Sequence, residues 1–440
     1  MLNCFDLIYL KEFMKYLSLL ALASLLLITC KSNSTGSDEE MNVLKAAFPC
    51  VDGLAEDIFP CNNVDLMARI SRSDLLGPDQ SLNDIWGWTD PQTDKEYALV
   101  GLTDGVTFVD ISSPNSPVVV GKLEEVLNSS KVMNDSIHDD NDNDGKGASA
   151  WRDIKVFNNY AFIVSDNQPH GLQIFDLTKL RTATDLPVSF TEDEHYSAFG
   201  KAHNIAINEE TGFAYVVGSN TYGGGLHIID INDPLNPVFA GFHSDSTVGF
   251  DNTGYIHDTQ CLNYSGPDSE YQNKELCFNS SETHLVIADV SDKQNTATIS
   301  KVDYQGRAYA HQGWLTEDHR YFILDDEIDA GNTTTYIFDV QDLDNPQMIG
   351  TYVVSSISID HNQYVKGNKL YQANYTSGLR ILNLDNIQNA NLSEIGFFDT
   401  YPVNNSRSFN GAWSNYPFFE NGLVIVSDIS NGLFILKPNL

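Results

Sequence analysis

The sequence predicts an all-β chain folded as a seven-bladed β-propeller, closed by an N-terminal strand that completes the last blade. Three observations predict it. First, a strand signature recurs as GVTFVD (Gly105 to Asp110), GLQIFD (Gly171 to Asp176), GLHIID (Gly225 to Asp230), HLVIAD (His284 to Asp289), TYIFD (Thr335 to Asp339), GLRILN (Gly378 to Asn383) and GLFILK (Gly432 to Lys437). These copies lie roughly 45 to 65 residues apart, the period of blades made of short alternating strands. Second, Lys201 to Asp230 shows one whole unit. A polar pair opens an apolar alternation (His203, Asn204, Ile205), a Gly turn leads into Phe213 to Val217, and Gly225 turns into LHIID. Such a unit has an apolar face that it cannot bury alone, so its neighbours must stack on it. Third, VDLMARIS (Val64 to Ser71) alternates like a strand yet belongs to no unit, while the last repeat stops after its third strand. Pairing the two closes the ring and removes the edges that an open ring would expose.

In chain order, Met14 and Lys15 precede a short apolar run, Tyr16 to Ile28, with the charged start of a secretory signal. Leu27 stands three residues before Cys30, and the polar stretch KSNSTGSDEE follows. This resembles a bacterial lipoprotein signal, which implies lipidation at Cys30 and attachment to the outer membrane or cell surface. The chain then divides into a signal at 1–30 (with Met14 as an alternative start), a polar tether at 31–49 and a propeller at 50–440. Beyond Cys4 and Cys30 four cysteines remain, an even number in an exported chain. The expected disulfides are Cys50 with Cys61 and Cys261 with Cys277, each closing a local loop. A four-Cys zinc site would need CxxC pairs, and none is present. After the third strands come turns rich in Asp, Asn and Pro, then a fourth strand, as in SSPNSPVVVGKL (Ser112 to Leu123), NDPLNPVFAGFH (Asn232 to His243) and QDLDNPQMIGTYV (Gln341 to Val353). Proline suits an outermost strand, which has a free edge.

The formal net charge of −35 excludes nucleic acid and anionic lipid surfaces as partners, because binding phosphate needs clustered Lys and Arg. It fits a cation-binding protein or an acidic, solvated surface. No nucleophile elbow, Gly-rich phosphate loop, zinc-protease helix or dinucleotide fingerprint is present.

Aligning the blade starts puts Asn83, Arg152, His203, His257, His311, His361 and Asn410 in register, so four consecutive blades carry histidine. The next position is polar as well: Asp84, Asp153, Asn204, Asp258, Gln312 and Asn362. First strands line a propeller's central channel, so equivalent positions form a ring about the axis. Such imidazoles can hold a borderline transition metal, with Asp153 and Asp258 as ligands or orienting partners, or can tie blades together by hydrogen bonds. Arg152 offers a fixed charge for a carboxylate or phosphate, and Asn204, Gln312 and Asn362 offer further ligand contacts. A second cation site is suggested by Asp140, Asp142 and Asp144 followed by Gly145, the opening of a calcium loop. Trp151 stands where the bidentate acid of such a loop belongs, and a solvated acidic insert is the alternative.

The segments NDIWGWTD (Asn83 to Asp90), WRDIKV (Trp151 to Val156), AHNIAINEETGFAYVVGS (Ala202 to Ser219), HQGWLTEDHRYFILDDE (His311 to Glu327), NYTSGLRIL (Asn374 to Leu382) and GAWSNYP (Gly411 to Pro417) resemble the choice-of-anchor B proteins, which carry LVIVD-type propeller repeats. The resemblance runs from about Cys50 to Leu440 and implies an exported propeller with a surface anchor. It implies no substrate and no catalytic residue. The expected function is a surface binding or scaffold module, with an unidentified ligand or protein partner and a bound metal. The alternatives are a metal-dependent hydrolase or oxidoreductase using the histidine ring, and a purely structural module.

Overall fold

The computed structural model describes residues 45–77, 80–126, 149–328, 331–354 and 356–440. The signal segment, Cys30, most of the tether and the acidic insert with Asp140, Asp142 and Asp144 lie outside the described residues. No helix among the described residues is long and apolar enough to cross a membrane.

Seven sheets follow one another along Lys45–Leu440. Their innermost strands are Leu82–Thr89, Arg152–Phe157, Asn204–Asn208, Asp258–Asn263, Ala310–Leu315, Gln363–Lys366 and Ala412–Tyr416, defining blades 1 to 7. Each packs beside the next and the seventh packs beside the first, so the ring is closed. Second strands, such as Glu96–Leu102 in blade 1, are buried along their whole length because blades cover both faces. Rings lock neighbouring blades together: Phe108 stacks on Phe175 at 4.8 Å, and Phe278 on Phe322 at 5.7 Å. Burying each such ring contributes about 1.5–3 kcal/mol, and pairing adds about 0.5–1.5.

The recurring signature forms the third strand of every blade. Its terminal Asp or Asn has a local task. Asp110, Asp176, Asp230, Asp289, Asp339 and Asn383 each accept a hydrogen bond from the backbone N–H two residues on. These Asx turns reverse the chain. The apolar residue between (Ile111, Leu177, Ile231, Val290, Val340 or Leu384) is buried and donates its N–H back across the blade. Glycine in the fourth strand makes room for the next blade's turn: a Cβ on Gly241 would collide with the Lys293 carbonyl.

Val64–Ile70 pairs antiparallel with Gly432–Pro438 and completes blade 7, as the unassigned strand predicted. Leu66 is buried there against the blade 6 and 7 core. Both disulfides form as paired in the sequence reading: Cys50–Cys61, and Cys261–Cys277 across two facing strands of blade 4.

Two blades depart from the simple four-strand unit. In blade 2 the third strand (Leu172–Asp176) leads into a 3-10 turn, Leu177–Thr182, and the chain then crosses back to blade 1. There Val188–Phe190 pairs in parallel with Val118–Glu124, before Glu194–Tyr196 supplies blade 2's outer strand. Blade 6 is extended by Phe59–Asn62 and Leu54–Ala55. Both additions cover outer edges that would otherwise be open to another chain.

Candidate metal centre at the propeller axis

His203 and His257 stand just before their inner strands, His311 is the second residue of its own, and His361 lies two residues ahead of its own. The shared position brings the four rings into a row. Centroids are 4.2 Å apart for His203 and His257, 4.3 Å for His257 and His311, and 4.3 Å for His311 and His361. All except His203 are at most 5% exposed.

Each imidazole has its Nδ1 engaged away from the axis. His203 Nδ1 lies 2.8 Å from Asp166 Oδ2, and His311 Nδ1 lies 2.9 Å from Asp325 Oδ2. His257 Nδ1 is 3.0 Å from the His311 carbonyl, and His361 Nδ1 is 2.5 Å from the Trp413 carbonyl. Carbonyl and carboxylate oxygens only accept, so Nδ1 carries the proton in all four rings. The Nε2 atoms are left for the axis. Glu327, one residue past the second strand of blade 5, faces two of them: Oε1 is 3.6 Å from His361 Nε2 and Oε2 is 3.9 Å from His311 Nε2. Tyr375 donates its hydroxyl to Glu327 Oε1 at 2.9 Å and holds it there. Ligand atoms of His257, His311 and Glu327 all lie within 4.8 Å of one another.

The directions of the pKa shifts alternate along the row. Burial opposes protonation of His311, but Asp325 and Glu327 outweigh it and push the ring up to about 9. Asp166 does the same for His203, which is also raised. His257 and His361 are driven well below the ordinary range, by burial first and then by their charged neighbours. A cavity of about 30 Å³ sits among these side chains, bordered by Trp151 and Trp413. It has room for an ion or one to two waters.

The structure places the other sequence-derived candidates as follows. Trp413, rather than Asn410, occupies the blade 7 position, for the His361-to-Trp413 bond repeats the His257-to-His311 bond. Trp413 follows Ala412 as His311 follows Ala310, at the same bulge in both inner strands. Arg152 borders the cavity but its guanidinium is fully buried, donating to the Leu102 carbonyl and lying 2.9 Å from His170 Nε2 and 3.5 Å from Glu125. Its charge is thereby matched within the protein. Asn204 donates to the His257 carbonyl, Gln312 to the Gln363 carbonyl and Asn362 to Ser414, so all three tie one blade to the next.

Asp153 and Asp258 stand outside the His257, His311 and Glu327 group, one residue further along their strands. Asp153 accepts from the Ile154 and Ile205 N–H groups and from Lys155. Lys155 also lies 3.5 Å from Asp84. Burial and the neighbouring Asp153 charge raise Asp84 well above the carboxylate range, whereas Lys155 holds Asp153 down against its own burial. Burial and Asp153 push Asp258 up to about 7. This second layer is a cluster of buried carboxylates around one ammonium, one residue further along the strands than the imidazoles.

Sequence reasoning missed Glu327, Asp325 and Asp166. Their signal was present: all three sit at the end of a second strand, Asp325 and Glu327 in the hairpin that bears His311 and Asp166 in the blade before that of His203, and DDE at Asp325 to Glu327 is a dense acidic run inside an apolar hairpin.

Fold and side chains together define a seven-bladed propeller with an imidazole cluster at one end of its axis. Within that class, residues 95–124 and 199–244 match the LVIVD repeat family, so the chain carries LVIVD repeats. Among solved structures, it resembles hydrazine synthase from Kuenenia stuttgartiensis at 11% identity and a TM-score of 0.52, covering 78% of this chain and 92% of that one. It also resembles a Lactobacillus plantarum protein at 12% identity and a TM-score of 0.50, covering 79% and 88%. At such identities these likenesses establish the propeller fold alone. Comparison with curated proteins finds no match.

Proposed function

We propose that this protein is an exported propeller of the choice-of-anchor B kind, lipid-anchored at Cys30, that acts as a surface binding or scaffold module and holds a transition-metal ion at its axis. One observation carries the metal. Four imidazoles around one small cavity commit Nδ1 to an acceptor, the outer-sphere pattern that orients metal-bound histidine, and ligand atoms of His257, His311 and Glu327 converge within 4.8 Å of one another. A set of imidazole nitrogens and one carboxylate suits Zn, Fe, Mn or Cu. Two disulfides support an oxidising compartment.

Cobalt(II) titration of chelator-stripped protein tests the metal: visible d–d bands should saturate near about one equivalent. A flat spectrum would count against the site. For the anchor, Cys30→Ala should move the protein from the membrane fraction to the soluble one. An unchanged distribution removes lipidation from the account.

A second reading, a metal-dependent hydrolase or oxidoreductase, is favoured by the cavity beside Glu327, which would leave a water next to the ion. Turnover of an activated ester by cobalt-loaded protein, abolished in Glu327→Gln, would move the assignment to that reading.

A further inference from the structure

The histidines occupy the starts of the inner strands; the ends of the same strands open on a different cavity, of about 450 Å³. Its wall is aromatic. Trp86, Trp314, Tyr364, Tyr416 and Phe418 line it, with Trp86 5.0 Å from Tyr416, Trp314 5.0 Å from Tyr364 and Tyr416 5.3 Å from Phe418, all edge to face. Volume and lining are those of a small-molecule pocket.

The charge of the cup narrows the ligand. Glu209 and Glu210 stand exposed at its rim. Glu210 accepts from Asn263 at 2.7 Å, and neither glutamate has a cationic partner among the described residues. Lys155 is the cation lining the cup, and its ammonium is held by Asp153 and Asp84 in the layer beneath. It also lies over the Trp86 ring, 4.5 Å from the centroid. The protein thus already places an ammonium on one face of this cluster, as expected where ring quadrupoles and carboxylates create a negative potential. The net charge of −35 draws further cations towards it.

We propose that the cup binds a small organic cation: an alkylammonium group whose charge faces Glu209 and Glu210 and whose methyl groups lie against the aromatic rings. The site is separate from the imidazole cluster and does not depend on a metal there.

Isothermal titration of the purified protein with choline and with its neutral isostere, 3,3-dimethylbutan-1-ol, tests the proposal. Choline should bind at least about tenfold more tightly than the isostere. The double variant Glu209→Gln and Glu210→Gln, whose exposed side chains leave folding intact, should weaken choline by about tenfold, and Trp314→Ala should do so too. Equal binding of choline and the isostere would overturn it. So would binding of a neutral stacking ligand, cellobiose, in choline's place, absence of binding by all three, or unchanged choline affinity in the glutamate double variant.

Discussion

A histidine whose Nδ1 proton is committed to a carbonyl has one nitrogen left, and the backbone decides where it points. In His257 and His361 that carbonyl belongs to the next blade, so ring orientation is set by propeller geometry rather than by the residue's own strand. In His203 and His311 a carboxylate does the same and adds charge. Asp325 is the clearest case. It accepts from His311 Nδ1 and from the Gln312 N–H, fixing ring and strand together. Replacing it with Asn should weaken metal binding about 10–100-fold, measured by competition with a chromophoric chelator, while the fold persists. An unchanged affinity would make Asp325 merely structural. The four histidines were legible in the sequence because a repeat of fixed register turns a linear pattern into a ring. Glu327, Asp325 and Asp166 were not, because they come from the second strand of a hairpin, and the alignment compared only first strands. Arg152 shows the opposite error: a charge at a ring position looked available, but Glu125 and His170, distant in sequence, surround it.

At the scale of the element, the repeat explains itself through the Asx turn. The last residue of the signature ends the third strand by capping the turn, which is why Asp or Asn recurs there and Val or Ile fills the strand before it. After Asp176 the chain leaves its blade, and Val188–Phe190 covers a neighbour's edge. Periodicity alone could not show that exchange, since a three-residue strand carries little pattern. The exchange is tied down by Arg181, in the 3-10 turn of blade 2, which donates from Nε to Asp90 Oδ2 at 2.8 Å and from a second nitrogen to Oδ1 at 2.5 Å. The guanidinium, with Thr93 and the Gln92 N–H, lowers fully buried Asp90 from 3.8 to about 2. A depressed folded value means the pair stabilises the fold above the unfolded value of 3.8 and loses that stabilisation as pH falls towards 2. The amount is about 2 kcal/mol. Urea unfolding at several pH values should therefore show the advantage of the natural chain over Asp90→Asn shrinking between about pH 5 and pH 2.5. A pH-independent difference would contradict the pairing.

For the whole molecule, closure is the organising fact. The strand Val64–Ile70 was readable as the missing member of blade 7 because it alternated without a blade and the last repeat lacked a fourth strand. Closing the ring brings seven inner strands to one axis, and their common direction gives the channel two unlike ends: imidazoles and Glu327 at the starts, an aromatic cup at the finishes. Between them lies the Asp84, Asp153, Asp258 and Lys155 layer, whose ammonium the sequence reading overlooked because Lys155 alternates as an outward-facing residue would in an ordinary sheet. The central claim is the metal at the imidazole end. Elemental analysis of the protein purified without chelator, beside a variant with His203, His257, His311 and His361 all changed to Ala, tests it most directly. The account predicts about one equivalent of a transition metal in the natural chain and none in the folded variant. A natural chain free of transition metal, or a variant that retains it, would contradict the account.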